Sequence, residues 1–171
     1  HSPGIIVRAR MFIADSRLQA QSPHGGTAYD IGYGIESEVI PMCCTDNQLF
    51  DMARKAMMNA YAPYSKYTVG ACLLSEDGRA FVGCNVENAA YPATRCAERG
   101  AIMAAIAAGA RRFTRIAITS QGAMPWPCGA CRQVLNEFAP DIEVLVQDGQ
   151  GNTDRAPLSQ LLPHGFGPES L

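Results

Sequence analysis

From Thr45 onward the spacing of apolar residues changes several times along the chain. In "TDNQLFDMARKAMMNAY", Leu49, Met52, Ala53, Ala56, Met57 and Ala60 recur at intervals of three and four. That period predicts an amphipathic helix, with Thr45 or Asp46 suited to cap its start. "APYSK" breaks the pattern. "YTVGACLL" and "RAFVGCNVE" read as two strands, and "SEDG" between them favours a hairpin turn. "CAERGAIMAAIAAGA" predicts a helix of small side chains that ends at Gly109, and "RIAITS" a short buried strand. "CGACRQVLNEF" predicts a further helix, with Pro127 placed in its first turn. "IEVLVQD" is another buried strand before a turn at "GQGN", and "PLSQLLP" a short last helix.

Strands that alternate with helices late in the chain predict a layered α/β domain with partly parallel pairing. Residues 1–45 follow no sustained period. "QSPHGGTAYDIGYG" is rich in glycine and polar residues, so 1–45 reads as an irregular extension and 46–171 as the domain. The chain opens on His1, which leaves a vector origin for part of the extension open, with Met11 or Met42 as natural starts. There is no internal repeat and no low-complexity tract.

Composition narrows the classes. The 171 residues are 47% hydrophobic, enough for one domain with a substantial core. Lys and Arg number 14 against 16 Asp and Glu, a net charge of -2. No basic excess points to a nucleic-acid partner, which would draw most of its affinity from phosphate contacts. No apolar run reaches the roughly 18 residues that a helical membrane span needs, and the start does not read as a signal peptide. Seven cysteines, an odd number with several inside apolar segments, argue against a secreted disulfide framework. The expected setting is a reducing, cytoplasmic one, in which thiols serve metal binding or catalysis.

Two stretches carry the chemistry. In "PWPCGACRQ", Cys128 and Cys131 open a helix at a spacing that puts both sulfurs on one face. The pair suits either redox exchange or metal ligation. In "TRCAERGAI", Cys96 opens another helix. Helix N-termini favour thiolates, and two such helices side by side could bring three thiolates together. Zinc takes three protein ligands in catalytic sites; no fourth is evident in the spacing. Glu98 lies two residues past Cys96, near such a metal without being placed to bind it. A carboxylate there can move protons between water and substrate. Taken singly, each feature has a plainer reading: core thiols or a closed structural zinc site, and for Glu98 a favourable charge in a first helical turn.

A cysteine or histidine followed by a non-ligand glutamate and then P-C-x-x-C is the signature of zinc deaminases. The blocks "AYAPYSKYTVGACLL", "GCNVENAAYPATRCAERGAI", "PCGACRQVL" and "LLPHGFGPESL", in that order from about Asn47 to Leu171, resemble the free-nucleoside cytidine deaminases of the small homotetrameric, three-cysteine type. The resemblance implies a three-layer α/β/α fold with a mixed central sheet of about five strands. It implies one zinc per subunit on Cys96, Cys128 and Cys131, and Glu98 as proton shuttle. It places Asn85 and Glu87 on the ribose hydroxyls, Tyr67 (usually phenylalanine in that family) on the base pocket, and Ala97 as a backbone donor to the base. Phe166 and Tyr91 fall at subunit junctions, in a tetramer whose active sites are shared. The implied reaction converts cytidine and 2′-deoxycytidine to their uracil counterparts with loss of ammonia, a pyrimidine-salvage step.

Charge adds one expectation. Three thiolates and Zn²⁺ sum to −1, which disfavours hydroxide at the metal unless donors draw charge from the sulfurs. Arg99 is the first candidate, by the same resemblance, and Arg132 the second. Rival readings are a deaminase of another aminopyrimidine, a zinc-dependent binding module without catalysis, and a nucleic-acid editor. Asn85, Glu87 and the "FGP" tail oppose the first, Glu98 the second, and the slightly acidic balance the third. Nothing in the sequence ranks cytidine against 2′-deoxycytidine.

Overall fold

The structure, a computed structural model, describes residues 44–171. Cys43 and nearly all of the expected extension lie outside the described residues. The elements are α1 (Asp46–Met57), β1 (Val69–Ser75), β2 (Ala80–Cys84), α2 (Ala97–Ala107), β3 (Phe113–Ser120), α3 (Gly129–Phe138), β4 (Glu143–Gln147), β5 (Thr153–Pro157) and α4 (Leu158–Leu161). The strands form one sheet in the order β2-β1-β3-β4-β5. β3 and β4 run parallel, and the other neighbours are antiparallel.

Strand alternation builds the layers, because successive side chains point to opposite faces. Ala71 and Leu73 of β1, Ile116 and Ile118 of β3, and Val144 and Val146 of β4 face one way. They pack with Ala97, Ala101, Ile102 and Ala105 of α2 and Leu135 of α3. Cys72, Leu74, Ala117 and Leu145 face the other way and meet Leu49, Phe50 and Ala53 of α1. The result is the expected α/β/α sandwich with a five-stranded mixed sheet. Cys44 is buried against the α1 side, and Thr45 caps α1 in a reciprocal pair with Gln48. The α1 stripe differs slightly from expectation: Phe50 joins its buried face, and Ala60 lies past its end.

α2 ends as its sequence predicts. Gly109 adopts φ +83°, and the Ala110 and Gly109 N–H groups return to the carbonyls of Ala105 and Ile106. That double return is the Schellman closure, which favours glycine. The start of α2 is set by Gly83 of β2. A Cβ there would lie 2.4 Å from both the Ala97 carbonyl oxygen and the Ala101 nitrogen. Glycine thus lets the first turn of α2 settle directly on the strand. Gly83→Ala should push that turn away and cost about 1–3 kcal/mol. Thermal melting should fall, and zinc binding at the displaced turn should weaken; an unchanged melting curve would contradict this packing.

Two details depart from the sequence reading. Pro127 sits one residue before the N-cap of α3, which is Cys128, rather than inside the first turn. β5 is an additional strand, paired with β4 through the turn that Asp148 closes by accepting the N–H groups of Gln150 and Asn152. Because β1 is antiparallel to both β2 and β3, while β4 is parallel to β3, the carboxyl ends of β2, β3 and β4 share one edge of the sheet. α2 follows β2 and α3 follows β3, so both helices begin at that edge, where ligands of open α/β sheets gather.

Candidate active site

Cys96 is the N-cap of α2 and Cys128 the N-cap of α3. Neither side chain caps its own helix, so both sulfurs are free for another partner. Cys131, in the first turn of α3, is fully buried. The three Sγ atoms lie within 4.8 Å of one another, and those of Cys128 and Cys131 are 3.6 Å apart. A tetrahedral zinc with bonds of about 2.3 Å holds its sulfurs about 3.8 Å apart, so this spacing fits the ion. Among the described residues no fourth His, Cys, Asp or Glu joins the group. Cys128 is exposed, which leaves one side of the cluster towards solvent.

The electrostatics also call for a cation. A hydrogen bond from Cys131 holds the Cys96 thiol down to about 5, and donation from Arg99 adds to the effect. Cys131 is pushed up, first by that same hydrogen bond and then by burial. A cation held between the sulfurs favours the loss of both protons. Arg99 supplies part of it from outside: one guanidinium nitrogen lies 3.6 Å from the Cys96 sulfur and 3.0 Å from the Thr94 carbonyl oxygen. Arg132 points elsewhere, donating to the carbonyls of Pro127 at 2.7 Å and Leu161 at 2.6 Å.

Glu98 is 5% exposed and outside the thiol group. Burial pushes its carboxyl above the ordinary range, and the negative charge on Cys96 adds to the rise. Ala97, ahead of it, is buried in the first turn of α2. The segment after β2 is tied by Val86 to two stretches, to Arg95 just ahead of α2 and to Tyr61 in the stretch after α1. Within it Asn85 is buried, receiving the Val69 N–H at 2.8 Å and donating to the Tyr67 carbonyl at 2.8 Å. One N–H and one lone pair of its amide remain uncommitted. The Glu87 carboxylate accepts the N–H groups of Tyr64 at 2.8 Å and Ser65 at 3.3 Å; the Ser65 side chain first, and these backbone donors after it, hold its pKa below the ordinary range. Tyr67 donates its hydroxyl to the Ala123 carbonyl at 3.0 Å.

Tyr91 and Phe166 stand apart from this group in exposure: they are 74% and 60% exposed. Tyr91 opens a single 3-10 turn and meets the Tyr64 ring edge-on, with centroids 6.3 Å apart. The Phe166 carbonyl accepts from Gln133 and Asn136 of α3. Cys72 and Cys44 are buried under α1, and burial pushes the Cys72 thiol up to about 12. Tyr64, Ser65, Thr94 and Ala123 were missed in the sequence, because their hydrogen bonds to Glu87, Arg99 and Tyr67 run through backbone groups that leave no side-chain signature.

A three-thiol centre at two helix N-termini, with an acid beside it that does not join it, defines a zinc enzyme of the layered α/β class. The comparisons with known proteins narrow that class. Residues 44–146 match the cytidine and deoxycytidylate deaminase zinc-binding region. The chain is 43% identical over 126 residues to the cytidine deaminase of Sporosarcina psychrophila, covering 72% of this chain and 93% of that one. It is 41% identical over 126 residues to the cytidine deaminase of Mycobacterium tuberculosis, covering 73% and 92% respectively. The crystal structure of cytidine deaminase from Burkholderia pseudomallei superposes with a TM-score of 0.70 at 44% identity, covering 72% of this chain and 100% of that one. The chain belongs to the cytidine and deoxycytidylate deaminase family.

Proposed function

We propose that this chain hydrolyses the 4-amino group of free cytidine and 2′-deoxycytidine, giving uridine and 2′-deoxyuridine and releasing ammonia. The observation that carries the reading is the buried Glu98 beside the Cys96–Cys128–Cys131 cluster and outside it. A structural zinc site would have no use for that carboxylate. The three thiolates would hold zinc, which supplies Lewis acidity that makes water a nucleophile near neutral pH. Glu98 takes a proton from the water that adds at C4 and gives it to N3. It then passes a proton to the amino group, which leaves as ammonia. The burial that raises its pKa readies Glu98 to return protons as well as take them.

Asn85 and Glu87 are assigned to the ribose hydroxyls, through the spare amide donor and acceptor of the first and the fixed carboxylate of the second. Tyr67 walls the base side, and the Ala97 N–H, free at a helix start, faces the base or its carbonyl. Arg99 draws charge from Cys96. The domain that does this work is assigned to residues 46–171, with Cys44 and Thr45 anchoring its start. The exposed Tyr61, Tyr64, Val86, Tyr91 and Phe166 support a homotetramer in which neighbouring chains cover the site rim. No described helix is long and apolar enough to cross a membrane. The reducing cytoplasm is the assigned setting, where thiols such as the six free cysteines among the described residues stay reduced.

The test is ammonia release from cytidine and from 2′-deoxycytidine by the purified zinc-loaded protein, with its mass read by light scattering. Turnover with one zinc per chain and a four-chain mass is expected. Zinc without turnover of either nucleoside would sink the substrate assignment, and a monomer that turns over would sink the shared site.

A further inference from the structure

One backbone oxygen near the site receives two hydroxyls. The Ala123 carbonyl accepts from Tyr67 at 3.0 Å and from Ser120 Oγ at 2.7 Å. Ser120 Oγ also accepts the Gly122 N–H at 3.2 Å, and the Gly122 carbonyl accepts the Gly149 N–H at 2.9 Å. The Tyr67 ring lies against the same segment: a Cβ on Gly122 would meet it at 3.3 Å. This segment runs directly to Cys128. On its other side, Tyr67 belongs to the stretch that Asn85 and Glu87 organise. Asn85 binds its carbonyl and the Val69 N–H, and Glu87 binds the N–H groups of Tyr64 and Ser65. A phenol has one proton to donate. Here that proton is committed to Ala123, so the hydroxyl is not free to donate to a ligand.

We propose that the Tyr67 hydroxyl is a positioning group. Through the Ala123 carbonyl it holds the segment carrying Cys128 in register with the segment that Asn85 and Glu87 organise. Occupancy of the nucleoside pocket and the hold on zinc are thereby coupled. The coupling rests on the deaminase reading above; the hold on Cys128 does not. Linkage makes the coupling reciprocal: a bound nucleoside tightens zinc by the same factor by which zinc tightens nucleoside binding, and slower zinc release is the kinetic sign the experiment reads.

The experiment uses the zinc-loaded full chain and a chromophoric chelator, well below the melting temperature, so that unfolding contributes nothing to release. Tyr67→Phe keeps the ring and removes the hydroxyl. It should release zinc about three- to tenfold faster than the parent, the size expected for one hydrogen bond. Ser120→Ala and the double variant close a cycle. Release from the double variant faster than the product of the two single effects is expected, because only there is the Ala123 carbonyl left without either donor. Saturating uridine, used as a product probe, should slow release from the parent and slow it less from Tyr67→Phe. Unchanged release in Tyr67→Phe overturns the proposal, and a raised KM for cytidine in that variant would then assign the hydroxyl to the substrate. Additive effects in the cycle overturn the shared clamp. A parent that never deaminates cytidine fails the functional reading instead, and the release rates still decide the clamp.

Discussion

Glu98→Gln should lower kcat for cytidine by about 10²- to 10⁴-fold, the usual range for losing a positioned proton carrier, with zinc per chain unchanged. The amide keeps the shape of the carboxyl, and Glu98 is not among the thiol ligands, so metal binding has no reason to fall. The same variant should melt higher. Burial raises the folded-state pKa of Glu98 above its unfolded value. A raised carboxyl costs nothing at low pH, where both states are neutral. Its cost grows as pH rises from the ordinary carboxylate range through the folded pKa, and is complete above it. At neutral pH the glutamine removes that cost, so the midpoint of thermal unfolding should rise. For the parent, the acid limb of the pH–rate profile should lie above the ordinary carboxylate range, because Glu98 must be ionised to take the first proton. Kinetics, metal analysis and calorimetry on the one variant test all three statements. Retained activity within tenfold, or joint loss of zinc and activity, would remove Glu98 from the shuttle role.

A gain in stability on losing an active-site charge is the expected sign of a site that holds strain for function. It also bears on which features were readable in the sequence. Where burial is one-sided and regular, the pattern sufficed. The alternation in β1, β3 and β4 and the stripe of α1 place the sheet between two helical layers, and Gly109 marks the end of α2. β5 escaped because its signal runs the other way. "TDRAP" is an exposed, charged edge strand, and edge strands carry charge and proline to discourage further pairing. Such a segment looks like loop until its partner β4 is known. The start of α3 was misjudged by about a residue for a related reason: proline suits several positions near a helix start, and cysteine at the N-cap gives no capping hydrogen bond to mark it.

At the site, the sequence held the chemistry but little of its placement. Cys128 and Cys131 declare their common face through their spacing. Cys96 joins them only because β2 and β3 point the same way and deliver two helix starts to one edge. That is a property of strand order, which no local window contains. The choice between Arg99 and Arg132 was open in the sequence, since each follows a site residue directly. In the structure, Arg99 lies 3.6 Å from the Cys96 sulfur, while the guanidinium of Arg132 is occupied by the carbonyls of Pro127 and Leu161.

That difference in placement sets the second large effect. Cys131→Ser, which nearly keeps the buried volume while removing the sulfur, should weaken zinc binding by about 10²- to 10⁴-fold. The figure follows from sharing the ~10–16 kcal/mol of a thiolate-rich zinc site among its ligands. Activity should fall with zinc occupancy, and excess zinc should restore it only in part, because the remaining two thiolates cannot fix the ion against Glu98. Arg99→Gln keeps all three sulfurs and removes only the charge beside Cys96. Its loss should be milder, about 10- to 100-fold in affinity. Arg132→Gln should lose less zinc than Arg99→Gln, since its contacts are to carbonyl oxygens rather than sulfur. Competition against a chromophoric chelator ranks the three on one scale. If Cys131→Ser held zinc as tightly as the parent, the ion would rest on some other donor set. If Arg132→Gln lost more than Arg99→Gln, the path of influence would run through the Pro127 carbonyl and the backbone entering Cys128, and direct donation to the Cys96 sulfur would be the lesser effect.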